Sequence, residues 1–460
     1  MLPLMLLTGA CYVAGFVQTQ RPLTLGLRPL HGASFDGSGA TMAKDVWGGA
    51  GLLSTRAFLK GETIISVPLS MCLMARRDGI VQGLQGQSDL MFEVAGDLRD
   101  PVSDEEAAQG RTWDMQLAYA LLDATSGFSL ASPFWDQYFG ALPKPHAVTL
   151  PSTFSDAELR ECQDDAVYAQ AKAQQARLAR FAGSALDGQD WHRASIGSQW
   201  SCVGPFAWAF AMVRSRCFQV SADWFAVVPV IEIANHAIVS NAEFAVVGGE
   251  GSMEEGCCVL RATRDVAPGE EVLISYDANT ETGYGNKRLF QQYGFVLEGG
   301  NPNDDDCISW GEASLSAASS DDTDSSSREG QAMPFVDKAI DRLVDAAISI
   351  LADPSNPVEK ERVESVSRSI GTRIRRRAVQ QVDDDDELLA RLLDDVTAME
   401  KAFPTTLGED LDILKKLSQS EQQLAEGMRR VAIDAALRFR IEKKRNLKTA
   451  RELLECSRGD

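Results

Sequence analysis

Val228-Pro229-Val230-Ile231-Glu232-Ile233-Ala234-Asn235-His236 is the stretch whose reading decides the fold. It closes a strand-like apolar run, Phe225 to Ile233, and then breaks into a polar pair where a buried strand would continue with apolar residues. Taken alone, Asn235-His236 reads equally as a hydrogen-bonded core or loop pair. The residues on either side of it decide between that and a site.

Immediately upstream, about Phe206 to Arg216 reads as a helix with Phe206, Phe210 and Val213 on its apolar face. Arg216 closes it, where a cation complements the helix dipole. Further back, Met115, Ala118, Tyr119 and Leu122 recur at helical spacing within Arg111 to Gly127. Ser155 with Glu158 three residues on is a capping-box pattern, and it opens a helix expected to run to about Phe181. Before these helices, Trp47 to Leu73 is glycine-rich and then β-branched, broken at Lys60-Gly61-Glu62, which is strand–turn–strand syntax. Downstream of His236, strands are expected at Glu243 to Val247, Cys257 to Ala262 and Glu271 to Tyr276. A helix from about Gly285 to Tyr293 then leads into Gly294-Phe295-Val296. Two groups of short strands therefore flank a helical insert at about 110–210, an α+β arrangement without the regular alternation of a doubly wound sheet.

Asn301 to Gln331 is rich in Asp and Ser, and its composition is that of an acidic disordered linker (301–331). Beyond it, Phe335 to Leu351 is amphipathic, and so is Leu388 to Phe403 through Leu388, Leu392, Val396, Met399 and Phe403. The run Asp383 to Glu387 precedes the latter helix, where negative charge suits its N-terminus. Leu424, Met428, Val431 and Ala435 mark a further long helix, so 332–460 reads as an all-helical domain. The chain carries 45 Lys+Arg against 66 Asp+Glu, a net charge of −21. That balance argues against a nucleic-acid partner, which needs a surplus of cations. Much of the excess falls in the 303–329 and 383–387 segments, which would favour a basic, lysine-bearing partner face.

The nine cysteines are scattered without a C-x-x-C pair, and the four histidines are too few for a metal centre, so no metal is expected. Reduced thiols acting as small apolar residues are the simplest reading. Met1 to Val17 is almost wholly apolar but falls short of the roughly 20 residues of a membrane-spanning helix. A signal-peptide core with cleavage near Gly15/Phe16 fits it, and Phe16 to Phe35 holds Arg21, Arg28 and hydroxyl residues with no acid. Residues 1–35 thus read as a leader that resembles the bipartite plastid leaders of algae, the alternatives being secretory or mitochondrial targeting. No membrane segment is expected in the mature form.

Four segments in order carry a specific resemblance: Gly48-Gly49-Ala50-Gly51-Leu52 with Gly61-Glu62 and Val67-Pro68; Trp208 to Phe218; Val228 to His236; and Gly269-Glu270-Glu271-Val272-Leu273-Ile274-Ser275-Tyr276, continuing to Tyr293-Gly294-Phe295-Val296. Together they resemble a SET-domain protein-lysine methyltransferase of the Rubisco large-subunit methyltransferase class. Ser132-Pro133-Phe134-Trp135-Asp136-Gln137-Tyr138 to Leu142-Pro143 is similar to a landmark of that class. So are Phe403-Pro404-Thr405-Thr406-Leu407-Gly408-Glu409-Asp410 and Arg438-Phe439-Arg440-Ile441-Glu442-Lys443-Lys444.

The resemblance implies a SET-type β core with a knot-like crossing near Pro229, spanning 40–300, followed by a helical substrate-binding domain. It implies S-adenosyl-L-methionine as cofactor, held by Gly48, Gly49, Ala50, Arg216, Asn235 and His236, with Arg216 on the cofactor carboxylate and the His236 backbone on adenine. Tyr276 takes the catalytic position, and Glu232, Tyr276 and Tyr293 meet the substrate, a protein with an accessible lysine. The family usually has Asp where this chain has Glu232, which lengthens that arm by one methylene and bears on lysine geometry. The same resemblance admits histidine as the methylated residue, or an inactive SET adaptor that binds proteins through its helical domain.

Overall fold

A stretch of backbone that cannot continue a ladder ends the strand before Glu232. In the computed structural model, Trp224–Val227 is extended, but Pro229 and Val230 form a turn and Ile231–Ile233 a single 3-10 turn. The strand expected over Phe225 to Ile233 is therefore cut to half its length, because Pro229 has no N–H to donate. The structure describes residues 39–44, 50–76, 81–82, 113–126, 138, 142–185, 204–248, 256–277, 283–304, 308, 334–352, 360–377, 384–419, 424 and 428–458. The leader at 1–35, Gly48, Gly49, Ser132 to Gln137, Asp383 and most of the 301–331 linker lie outside them.

In chain order the described elements are β1 (Ala40–Lys44), β2 (Ala50–Ser54), β3 (Thr63–Pro68), β4 (Leu73–Arg76), β5 (Val81–Gln82), α1 (Trp113–Ser126), α2 (Asp156–Arg160), α3 (Asp165–Ala185) and α4 (Pro205–Arg216). They continue with β6 (Cys217–Gln219), β7 (Trp224–Val227), β8 (Asn235–His236), β9 (Ala242–Val247), β10 (Cys257–Ala262), β11 (Glu271–Ile274) and α5 (Asn286–Tyr293). Five helices follow: α6 (Pro334–Ala352), α7 (Lys360–Arg377), α8 (Asp385–Ala402), α9 (Leu407–Ser418) and α10 (Arg430–Arg458). The fold is α+β, with a helical C-terminal region. The chain divides into two compact units, Met1–Phe154 with Ala169–Asn279, and Ser155–Tyr168 with Thr280–Asp460.

In the first unit three small sheets run β1-β2-β11-β8, β3-β10-β9 and β5-β4-β7-β6. Their strands bury Leu52, Ile65, Val67, Leu73, Val259 and Leu260. Helices α1 and α4 pack on one another and contribute Leu117, Leu121, Trp208 and Phe210 to the same core. Trp208 is almost fully buried, and its indole N–H donates to the Pro143 carbonyl at 2.9 Å, which satisfies the one polar atom that burial would otherwise strand. Asp114 at the start of α1 is bound by Arg177 of α3 and Arg214 of α4.

The element that positions the site is the junction of β8 and β11. They are parallel, with Leu273 beside Asn235 and Ile274 beside His236. β11 also pairs antiparallel with β2, so its C-terminal end carries Tyr276 past the Asn235-His236 pair. The strand expected to reach Tyr276 ends at Ile274, and Tyr276 lies in the turn beyond it.

In the second unit the Ser155/Glu158 capping box is present, but the helix it opens ends at Arg160. The single helix expected to Phe181 is two. Gln163 has φ 50°, outside helical backbone, and the Asp164 carboxylate accepts the Val167 N–H at 2.9 Å to start α3 afresh. Gly294 closes α5 at φ 80°, and its N–H donates to the Leu289 and Phe290 carbonyls, the left-handed cap that glycine favours. Helices α6, α7, α8 and α10 share a core of Ala339, Leu343, Val366, Ile370, Leu392 and Leu453. Leu424 and Met428 precede α10 rather than belonging to it. Two helices, α7 and α9, add to the three expected there.

Part of the acidic run is engaged within this unit. Asp385 is bound by Lys338 at 2.8 Å and Arg342 at 2.7 Å, so its charge does not project to a partner. Cys72, Cys162 and Cys258 are buried free thiols as expected, while Cys217 and Cys257 are half-buried and Cys456 is exposed. Among the described residues no helix is long and apolar enough to cross a membrane.

Candidate active site

Asn235 sits at the first position of β8, and its register against Leu273 turns its side chain toward β2 and β11. Its amide nitrogen donates to the Ala50 carbonyl at 3.1 Å and to Glu271 Oε1 at 2.8 Å. Both amide hydrogens are thereby engaged, which leaves Oδ1 as its acceptor. Gly51 makes this arrangement possible. A Cβ at that position would lie 2.6 Å from Glu271 Oε1 and 2.9 Å from Asn235 Nδ2, so only glycine lets the chain pass this close to the pair.

His236 and Tyr276 are fixed to each other. The Tyr276 backbone N–H donates to His236 Nδ1 at 3.1 Å, and the Tyr276 hydroxyl donates to the Ala234 carbonyl at 2.9 Å. The two rings lie 5.2 Å apart, tilted by 43°. Tyr276 is thus held at backbone and at hydroxyl, with its phenolic proton directed at a carbonyl and its oxygen lone pairs facing away from it. Burial raises the Tyr276 phenol well above its ordinary value; Arg216 opposes that shift while Glu232 and Glu271 reinforce it. The group remains a neutral hydroxyl at physiological pH.

Arg216 and Glu232 form a buried ion pair. Arg216 Nη1 donates to Glu232 Oε2 and, at 3.3 Å, to the Glu232 backbone carbonyl. Glu232 is 4% exposed, and its other oxygen accepts from the Tyr138 hydroxyl. Burial lowers the Arg216 guanidinium's tendency to hold its proton, but the adjacent Glu232 carboxylate outweighs it and holds the group above its usual value. Arg216 Nε is buried with no hydrogen-bond partner among the described residues.

The structure therefore brings together Ala50, Arg216, Glu232, Asn235, His236 and Tyr276, contributed by β2, α4, the 3-10 turn, β8 and the end of β11. Gly48 and Gly49 lie outside the described residues. Tyr293 ends α5 in the second compact unit, where its hydroxyl accepts from Gln292 at 3.2 Å and its ring lies 6.3 Å from those of Tyr284 and Phe295. Two members of the constellation escaped sequence reasoning as site residues. Glu271 was visible only as a polar residue opening a strand, and Tyr138 only as part of a landmark.

Residues 49–277 match the family model described as SET domain. This chain carries a SET domain. Its last matched residue is also the last described residue of the first compact unit. The chain is similar to the solved SET domain of LSMT bound to lysine and AdoHcy, at 18% identity over 91% of this chain and 87% of that one, with a TM-score of 0.46. It is similar as well to Rubisco LSMT bound to AdoMet, at 16% identity over 92% and 88% of the two chains, with a TM-score of 0.47. No curated protein sequence matches it.

The His236–Tyr276 contact gives the SET domain a pH dependence of defined sign. Burial lowers the His236 imidazole below its ordinary value, and the nearby Asp277 carboxylate opposes this only in part. Above about pH 6.5 the ring is neutral in both folded and unfolded chains, so this group takes nothing from stability there. As pH falls through that value the unfolded chain takes up the proton first and stability declines. Protonation at Nδ1 in the fold would also remove the acceptor of the Tyr276 N–H. The melting temperature is expected to drop further between pH 7.5 and 5.5 for the wild type than for His236→Asn. Equal drops would show that another group titrates.

Proposed function

We propose that this chain is an S-adenosyl-L-methionine-dependent protein-lysine N-methyltransferase of the Rubisco large-subunit methyltransferase class. The observation that carries the reading is Tyr276, a neutral phenol tied at its backbone to His236 and at its hydroxyl to Ala234. Its proton is committed to a carbonyl, so its oxygen is an acceptor for an amine N–H and orients that amine's lone pair.

The residues of the SET domain suit the cofactor. Arg216 Nε is a buried donor suited to a carboxylate, and the remaining acceptor of Asn235 suits an ammonium. The Gly51 backbone, without a Cβ, keeps β2 against the Asn235–Glu271 pair beside them. Bound there, S-adenosyl-L-methionine supplies a methyl group on a positively charged sulfur, open to in-line displacement. The chain's own part is to deliver a neutral nucleophile. A free lysine, with a pKa near 10.4, is almost wholly charged at neutral pH, and a buried aromatic surrounding disfavours that charge. Tyr276 then fixes the amine's direction, and alignment lowers the barrier without a covalent intermediate. The leader read at residues 1–35 supports a plastid location for this activity.

One observation favours a second reading, methyl transfer to histidine. The Glu232 carboxylate is already neutralised by Arg216, which leaves less negative charge for a lysine ammonium on its way to the site. Calorimetric titration with S-adenosyl-L-methionine, followed by mass spectrometry of plastid protein incubated with the chain and labelled cofactor, tests both. Methyl-lysine supports the first reading and methyl-histidine the second. Absence of cofactor binding would leave the adaptor reading in their place.

A further inference from the structure

Among the described residues of the first unit, Tyr138 is the largest polar side chain with no exposed surface, and nothing in the chemistry above uses it. Its hydroxyl makes two bonds to one short turn. It donates to Glu232 Oε1 and accepts the Val230 N–H at 2.9 Å. Val230 has φ 69° and ψ −47°, and the Ile231 N–H donates to the Pro229 carbonyl at 2.8 Å across it, a strained γ-turn for a β-branched residue. Such a conformation persists only where its surroundings hold it. The same turn is held from the opposite side by Arg216, through the Glu232 carboxylate and carbonyl. It ends at Ala234, whose carbonyl takes the Tyr276 proton.

We infer that Tyr138 is a positioning residue for Tyr276: its hydroxyl fixes the Val230–Ala234 turn and, with Arg216, commits the Glu232 carboxylate to the domain interior rather than to a target amine. This rests on the methyltransferase reading for its catalytic consequence, though not for its geometry. Tyr138 bonds directly to Val230 and Glu232, and Ala234, two residues beyond Glu232, bonds directly to Tyr276. Loss of the Tyr138 hydroxyl frees the Val230 N–H and one Glu232 oxygen, the strained turn relaxes, and the Ala234 carbonyl moves relative to Tyr276.

Tyr138→Phe keeps the ring and removes only the hydroxyl. The full chain is labelled at tyrosine Cζ, and the Tyr276 signal is assigned by its loss in Tyr276→Phe. In folded Tyr138→Phe that signal is expected to shift, and the turnover number for methyl transfer to fall by about ten- to a hundredfold, with the cofactor KM changed less. A purely packing role would leave the Tyr276 signal in place. Glu232→Gln, which keeps the side-chain length, is expected to move the signal as well, and the double variant to move it less than the two single shifts added. An unmoved Tyr276 signal in folded Tyr138→Phe overturns the inference, as does a shifted signal with unchanged turnover. Should Tyr138→Phe not fold, the Glu232→Gln signal decides in the same way. A wild-type chain without methyl transfer would remove the functional reading, and the signal alone would then decide the positioning.

Discussion

Replacement of Tyr276 by phenylalanine is expected to lower methyl transfer by about a hundredfold or more while leaving cofactor affinity nearly unchanged. The ring would stay packed beside His236, and the backbone N–H that donates to Nδ1 would remain. What is lost is the hydroxyl between the Ala234 carbonyl and the site. On the proposed reading its oxygen is the acceptor that directs the nucleophile, and misdirection of a reacting atom by an ångström costs about this factor. The groups assigned to the cofactor are held elsewhere, Arg216 by Glu232 and Asn235 by Ala50 and Glu271. Single-turnover rates and calorimetric titration on the same preparation separate the two quantities. A variant with the wild-type rate would end the role assigned to Tyr276; parallel loss of rate and affinity would show a collapse of the site instead.

The largest expected effect on stability lies in the second unit, at Asp410. This carboxylate is fully buried and accepts from Arg440 at 2.8 Å, Lys444 at 2.5 Å and Thr405 at 2.7 Å. Arg440 and Lys444 are themselves 1% and 6% exposed. Burial alone would push the Asp410 carboxyl up, but the bonds from Lys444, Thr405 and Arg440 outweigh it and hold it below the usual range. Asp410→Ala leaves two buried cations without their shared counter-charge, a change that typically costs about 3–5 kcal/mol. Arg440 keeps Glu161 at 2.6 Å, and Lys444 keeps Gln163 at 3.1 Å and Thr405 at 2.8 Å, so unfolding rather than simple rearrangement is the outcome only if these are insufficient. Urea unfolding of the full chain measures it, and a loss below about 1 kcal/mol would show that Glu161 and Thr405 carry the pair unaided.

This knot gives physical content to two landmarks that sequence reading could only match. Phe403 to Asp410 and Arg438 to Lys444 meet as acceptor and donors on α9 and α10, and the capping box of Thr406 and Glu409 starts α9 in between. Thr406 and Glu409 were read only as part of a landmark, whereas the capping box at Ser155 and Glu158 was legible because both partners lie within one helical turn. The end of that helix was not legible. It depends on Gln163 leaving helical backbone, on Asp164 capping the next helix, and on Arg440 taking the Glu161 carbonyl from 279 residues away. The strand expected through Ile233 failed for a reason already written in the chain, Pro229, which the apolar run concealed.

The sequence by itself determined the α+β class, most of the strands and helices, and the set of segments from which a SET domain's site is drawn. Periodicity, caps and turn residues act over a few positions, and in β11 buried Val272 and Ile274 alternate with half-buried Glu271 and Leu273, which leaves little choice of buried face. Only the tertiary structure decided what each polar side chain does. Asn235 reaches Ala50 across 185 residues, and Tyr138 reaches Glu232 across 94. The Glu232 carboxylate, which the resemblance directs at a substrate lysine, is bound by Arg216 and Tyr138, because a buried charge draws the donors that packing brings to it.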